Sequence, residues 1–291
     1  MFKTLQELVE AAGREKCRLS DLIRAREAEA AGVAENELFL KMKKQYRVMQ
    51  EAARSGTERV VKSISGLTGG EGRMLWERAD RALCGPLMAR AAARAMAVAN
   101  VNASMGKVVA APTAGSCGIL PGVLITVAEA LGNSEEAVVN SLFTAAAVGE
   151  VIAVNATLAG AEGGCQAECG AAAAMAAAAA VELAGGAPEQ SAHAAAFALK
   201  AVMGLVCDPV AGLVEVPCIK RNGMGAVQAV LAADMALAGL ISLIPPDEVI
   251  AAMKEVGRCL PASLKETAAG GLAATPTGRE IHRRVLENVH R

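Results

Sequence analysis

Aromatic side chains are almost missing from this chain. Phe, Tyr and Trp make up 2% of its 291 residues, although hydrophobic residues make up 53%. The core must then be built from Ala, Val, Leu and Met. That suits closely packed helices better than sheets, which favour aromatic and β-branched side chains. Strand periodicity is also scarce. The expected fold is all-α: one compact helical domain with Ala-rich buried helices and irregular Gly/Pro-rich loops at its site. There is no excess of one charge; the net value of −1 leaves no basic field to attract nucleic acid. Histidine is limited to His193, His282 and His290, and none sits in a motif that marks a general base. The start, Met1-Phe2-Lys3-Thr4-Leu5-Gln6-Glu7, lacks the apolar run of a secretory leader. The eight cysteines are therefore expected as free thiols in a reducing cytoplasm.

Four of those cysteines fall in one stretch, 162–222: Cys165, Cys169, Cys207 and Cys218. Residues 170–184 are nearly all alanine, the strongest helix former. Gly185-Gly186-Ala187-Pro188 then stops one helix and starts another over 189–206. A helix out and a helix back bring Cys165 and Cys207 to one end of the hairpin. Pro209, Gly212 and Pro217 oppose regular helix and allow a compact loop that returns Cys218 to them. Structural zinc usually takes four ligands in closely spaced pairs, and a four-iron cluster usually takes four thiolates. Three thiols would leave one iron with an open position. The spacing leaves packed, unreactive thiols equally open. Cys169, four residues after Cys165, would share its face on a continuous helix, and such a pair could bind metal.

Elsewhere the chain presents smaller signals. Residues 3–56 read as charged amphipathic helices, so a helical arm is expected over 1–58 and a main body over 59–291. Lys62 precedes a Gly-rich stretch, 63–72, whose N–H groups could hold an anion. A lysine Schiff base with pyridoxal phosphate is an alternative chemistry for that stretch. The lack of strand periodicity argues against it, and no pyridoxal phosphate is expected. Around Pro112, Thr113 and Ser116 offer hydroxyls to a substrate carboxylate. Asn155 lies just before the first cysteine, suited to tying down that loop or to a substrate contact. The apolar run 225–244 contains Asp234 and much alanine, so a buried helix rather than a membrane span is expected.

Several long motifs, in order, resemble the iron–sulfur L-serine dehydratases, specifically the alpha chain of the two-subunit form. They are Ala110-Ala111-Pro112-Thr113-Ala114-Gly115-Ser116-Cys117-Gly118, Glu162-Gly163-Gly164-Cys165-Gln166-Ala167-Glu168, Cys207-Asp208-Pro209-Val210-Ala211-Gly212, Val216-Pro217-Cys218-Ile219-Lys220-Arg221-Asn222 and Gly270-Gly271-Leu272-Ala273-Ala274-Thr275-Pro276-Thr277-Gly278. The resemblance runs from about residue 60 to 280. It implies a [4Fe-4S] cluster on Cys165, Cys207 and Cys218 only, which makes Cys169 a packing residue, and L-serine as substrate. It implies substrate contacts from Ser65 and Gly66 and from the Thr113–Ser116 stretch. It also implies a beta subunit, because the family's Ser-Ser-His-Thr motif is absent here. A homo- or hetero-oligomer is expected, with the base in the beta chain; Lys107 and Lys220 are the internal candidates. In single-chain relatives a C-terminal cysteine can occupy the open iron. Here the chain ends Val289-His290-Arg291, leaving water, hydroxide or His290 in that role. An L-cysteine desulfidase using the same iron, or a non-catalytic cluster-binding scaffold, are the alternatives.

Overall fold

Residues 2–289 are described by this computed structural model, and within them every regular element is helical. The first helices are α1 (Leu5–Glu15), α2 (Leu19–Ala31), α3 (Glu35–Glu58), α4 (Glu71–Arg78) and α5 (Pro86–Ala103). Next come α6 (Ile119–Leu131), α7 (Glu135–Asn155), α8 (Gly160–Gly163), α9 (Ala171–Leu183) and α10 (Pro188–Ala201). The last are α11 (Cys218–Leu237), α12 (Pro246–Cys259) and α13 (Pro276–Val289). His290, one of the alternatives for the terminal ligand, lies outside the described residues.

The alanine run becomes the central helix. Every residue of α9 except Glu182 is buried. A helix apolar all round must be enclosed on all sides, and α6, α7, α10 and α11 pack around α9. Methyl-sized side chains let these axes approach closely. The Gly185–Pro188 break appears where the sequence places it, with Gly185 in the left-handed region at φ 79°. Ser134 caps α7 by accepting from Ala137 N–H at 3.2 Å.

A second layer forms on α5, which contacts α3, α4, α6 and α11. Here glycine permits contact between backbones. A Cβ on Gly122 would fall 2.7 Å from Ala91 O and 2.8 Å from Ala95 N. Gly122→Ala is therefore expected to cost about 1–3 kcal/mol, the usual range for overpacking, read as a lower urea midpoint with unchanged slope. Arg94 belongs to this layer rather than to solvent: it is buried, reaches Thr126 at 2.9 Å and Glu129 at 2.7 Å, and stacks 4.7 Å from the Trp76 ring centroid.

The N-terminal helices join the same hydrophobic cluster through Leu5, Leu8, Leu19 and Leu22. The Asp247 carboxylate of α12 accepts from Leu5 and Gln6 N–H at 2.8 and 3.0 Å, placing an anion at the positive end of α1. Two segments, Ala114–Leu131 and Glu135–Asn155, are long and apolar enough to cross a membrane, but 72% of each is buried within the fold. The run over 225–244 behaves differently from expectation in its second half. Gly239 turns left-handed at φ 87°, α11 stops at Leu237, and Leu240, Ile241, Leu243 and Ile244 are exposed.

Candidate active site around the cysteine cluster

Cys165 sits at the mouth of an unusual turn. Residues Gln166–Gly170 form a π-helical turn between α8 and α9, a feature frequent at functional sites. The buried Gln166 fixes this turn three times. Its amide donates to Met253 O at 2.9 Å and accepts from Gly204 N–H at 2.8 Å, and its backbone N–H donates to Leu205 O at 3.0 Å. The turn places Cys169 Sγ 3.3 Å from Cys165 Sγ.

Cys207 arrives on the return from α10, which ends at Ala201 rather than 206. Its backbone donates to Leu264 O at 2.9 Å and accepts from Glu266 N–H at 2.8 Å, so the segment after α12 forms its outer wall. Val210 N–H to Val216 O, 2.8 Å, closes the Pro-rich loop. That closure brings Cys218 in as the first residue of α11. The buried Asn222 then ties Cys218 to the Thr113 loop. Its amide donates to Cys218 O at 2.9 Å and Gly115 O at 2.7 Å, and accepts from Gly118 N–H at 2.9 Å.

Between these walls lies Glu168, which the residue-by-residue reading of the sequence did not single out. Thr113 Oγ1 donates to Glu168 Oε1 at 2.8 Å and lies 3.1 Å from Ser116 Oγ. Cys207 Sγ lies 3.9 Å from Glu168 Oε2. A Cβ on Gly160 would sit 2.7 Å from Glu168 Oε2 and 3.1 Å from Cys207 Sγ, so glycine there keeps the space beside both groups. The sequence signal was the π turn's own composition: a lone acidic residue two positions before the alanine run cannot be spent on that buried helix.

Burial sets the electrostatics. It pushes the Cys207 thiol well up and Cys218 up to about 12, and neighbouring Cys165 adds to both shifts. Cys165 moves the other way, lowered by its hydrogen bond with Cys169 and by the nearby Arg221, while the same bond and burial raise Cys169. Burial likewise raises Glu168. Arg221 is held in place by Val206 O at 2.9 Å and Asp208 Oδ1 at 2.9 Å. Asp208 Oδ2 in turn accepts from Leu272 N–H at 2.8 Å.

The remaining sequence candidates divide between this site and its surroundings. Ser65 Oγ donates to both oxygens of buried Glu215, at 2.8 and 2.9 Å, and Thr68 donates to Glu215 at 2.8 Å. Gly66 beside Ser65 is left-handed, φ 73°. Ser65 and Glu215 line a cavity of about 660 Å³ with Asn102, Ala114 and Leu213. Lys220 Nζ pairs with Glu71 at 2.7 Å, and Lys107 is exposed. Asn155 is set apart: it donates to Lys3 O and Val151 O, at 2.7 and 2.8 Å. The other thiols sort by exposure. Cys84 and Cys259 are exposed, while Cys117 is fully buried and pushed up to about 12. In the native chain, iodoacetamide at pH 8 is expected to modify Cys84 and Cys259 within minutes and leave Cys117 unmodified until denaturant is added, as peptide mass mapping would show.

Fold and site together define a helical protein whose Gly/Pro-rich loops gather buried thiols, hydroxyls and a carboxylate. Residues 14–273 match the family model for the serine dehydratase alpha chain. The chain is 51% identical over 288 residues to the "Probable L-serine dehydratase, alpha chain" of Bacillus subtilis, covering 98% of this chain and 96% of that one. It is 42% identical to the "L-serine dehydratase, alpha chain" of Peptoniphilus asaccharolyticus, over 99% of both. The match to "L-serine dehydratase 1" of Escherichia coli is 46% over 184 residues, 62% of this chain but 40% of that protein. The chain belongs to the serine dehydratase alpha-chain family. The likeness takes in the N-terminal helices, further than the motifs alone suggested.

Proposed function

We propose that this chain is the alpha subunit of a cytoplasmic L-serine ammonia-lyase that carries a [4Fe-4S] cluster on Cys165, Cys207 and Cys218 and works with a beta subunit. The observation that carries this reading is the meeting of three distant segments, the π turn, the Cys207 loop and the start of α11, around Glu168 and Thr113. The donor set suits the cluster. The three groups are soft thiols, Arg221 is the nearby cation, and Gly160 leaves room beside Cys207. Among the described residues no three His, Cys, Asp or Glu side chains come as close together as a single ion requires. All eight cysteines are free, in keeping with a reducing cytoplasm.

The reaction removes the Cα proton and the β-hydroxyl of L-serine, releasing water and 2-aminoacrylate. This tautomerises to the imine, which hydrolyses to pyruvate and ammonia. When bound, the cluster supplies Lewis acidity for departure of the hydroxyl. The chain's own groups bind and orient. Thr113 and Ser116 present hydroxyls at the inner wall, and Glu168 holds Thr113 in one rotamer. Glu215 fixes Ser65 at the edge of the neighbouring cavity, and the segment after α12 shields Cys207 from water. Lys220 is engaged by Glu71, which supports placing the base in the beta subunit, with Lys107 and Lys220 as the internal candidates. The E. coli relative also supports a second portion, since the matched segment is 40% of that protein. Residues 1–58 would then be an arm on a catalytic body of 59–291.

The test is iron and acid-labile sulfide per chain after anaerobic reconstitution, followed by a serine-to-pyruvate assay with the beta subunit. Binding of about four irons and turnover of L-serine are expected. Absence of both, or faster elimination from L-cysteine, would overturn the proposal.

A further inference from the structure

Cys169 is not needed as a cluster ligand in the reading above, yet it is the nearest sulfur to one. Cys165 Sγ and Cys169 Sγ are 3.3 Å apart, and among the described residues this is the one sulfur-to-sulfur hydrogen bond. Both residues are buried, with 4% of their surface exposed. The π turn explains the pairing. The turn lies directly between the two residues, and positions four apart share a face there as they would on an α-helix. Gln166 holds the turn through three hydrogen bonds, so the sulfurs are presented to each other by a rigid backbone. A disulfide needs the sulfurs about 2.05 Å apart, and these two are already in contact.

We propose that Cys165 and Cys169 form a reversible intramolecular disulfide when the chain is without its cluster and meets a peroxide. The Cys165 sulfur attacks one peroxide oxygen, the O–O bond breaks, and water leaves a sulfenic acid on Cys165. The Cys169 sulfur then attacks that sulfur, the S–S bond forms, and a second water departs. Two thiols are oxidised by two electrons and hydrogen peroxide is reduced to two waters. The consequence is protective. Cys165 is held in a state that a thiol reductant reverses, instead of passing on to the sulfinic acid. The bond itself follows from the sulfur geometry. Only its effect on iron uptake rests on Cys165 being a ligand.

The experiment uses the full-length chain, stripped of metal, treated with equimolar hydrogen peroxide and quenched with N-ethylmaleimide. Cleavage after glutamate separates the two cysteines, because Glu162, Glu168 and Glu182 bound peptides 163–168 and 169–182. The expected result is that these two peptides run joined, lighter by two hydrogens, and part on adding dithiothreitol. A link from Cys165 to Cys207 or Cys218 would overturn the proposal, as would recovery of Cys165 as a maleimide adduct or a sulfinic acid. Cys169→Ala gives a second readout. After peroxide and then dithiothreitol, the wild type is expected to take up iron as before, and the variant severalfold less, with Cys165 found as sulfinic acid. Equal recovery would also overturn it. Should the variant fold poorly, the mapping in the wild type decides alone. If the peptides join but no iron is ever taken up, the disulfide stands and the cluster proposal falls.

Discussion

Cys207→Ser is expected to lower serine turnover about 1,000-fold, equivalent to about 4 kcal/mol of lost transition-state stabilisation. The argument rests on what Cys207 touches. Its backbone is bonded on both sides to 264–266, so the side chain is aimed inward whatever replaces the sulfur. Serine would keep that aim at nearly the same volume, so the fold should survive. What is lost is a soft thiolate donor. The measurement is kcat alongside iron per chain: both should fall together in Cys165→Ser, Cys207→Ser and Cys218→Ser. Cys84→Ser, at an exposed position, is the control. Retention of iron and kcat in the three variants would return these thiols to simple packing.

Arg221→Met is expected to destabilise the chain by about 3 kcal/mol, the low end for breaking a buried ion pair, because Arg221 keeps some contact with water. Asp208 is 3% exposed and would be left as an uncompensated charge. The damage should spread along a defined route. Asp208 holds Leu272 N–H, and Gly271, left-handed at φ 58°, lets that backbone lie against the carboxylate. Limited proteolysis should therefore cut the variant within 260–275 before the wild type is touched there. Adding Asp208→Asn to Arg221→Met should recover part of the loss, since the stranded charge is then removed. A double variant as unstable as the sum of the two singles would mean the pair is not coupled.

The parts of this protein legible in the sequence are those set by neighbours along the chain. An alanine run with no polar face must be enclosed, and α9 is. Gly185 to Pro188 must break a helix, and Ser134 before two glutamates must begin one. The cysteine spacing, read together with the helical hairpin, suggests that Cys165, Cys207 and Cys218 lie at one end of the hairpin, and Cys165 contributes to the upward shifts of both Cys207 and Cys218. What stayed hidden depends on contacts across the fold. Asn222 reads as an ordinary polar residue on a helix until Gly115 and Gly118 are seen beside it. Gln166 looks like filler in a Gly-Gly-Cys motif, yet it bridges α12 and the turn after α10. Arg94 reads as a surface cation, and is buried only because Trp76, Thr126 and Glu129 converge on it.

Composition and local pattern by themselves determined an all-helical chain with a small-residue core, because helix propensity and periodicity are properties of neighbours within a turn or two. Only the tertiary structure decided which thiols meet which carboxylate. Glu168, Thr113 and Cys207 come from three segments far apart in sequence, and their approach depends on glycines that admit backbones where a Cβ would stand. It also decided that Cys169 Sγ lies 3.3 Å from Cys165 Sγ, at a turn whose anchoring by Gln166 no count of residues between cysteines can show.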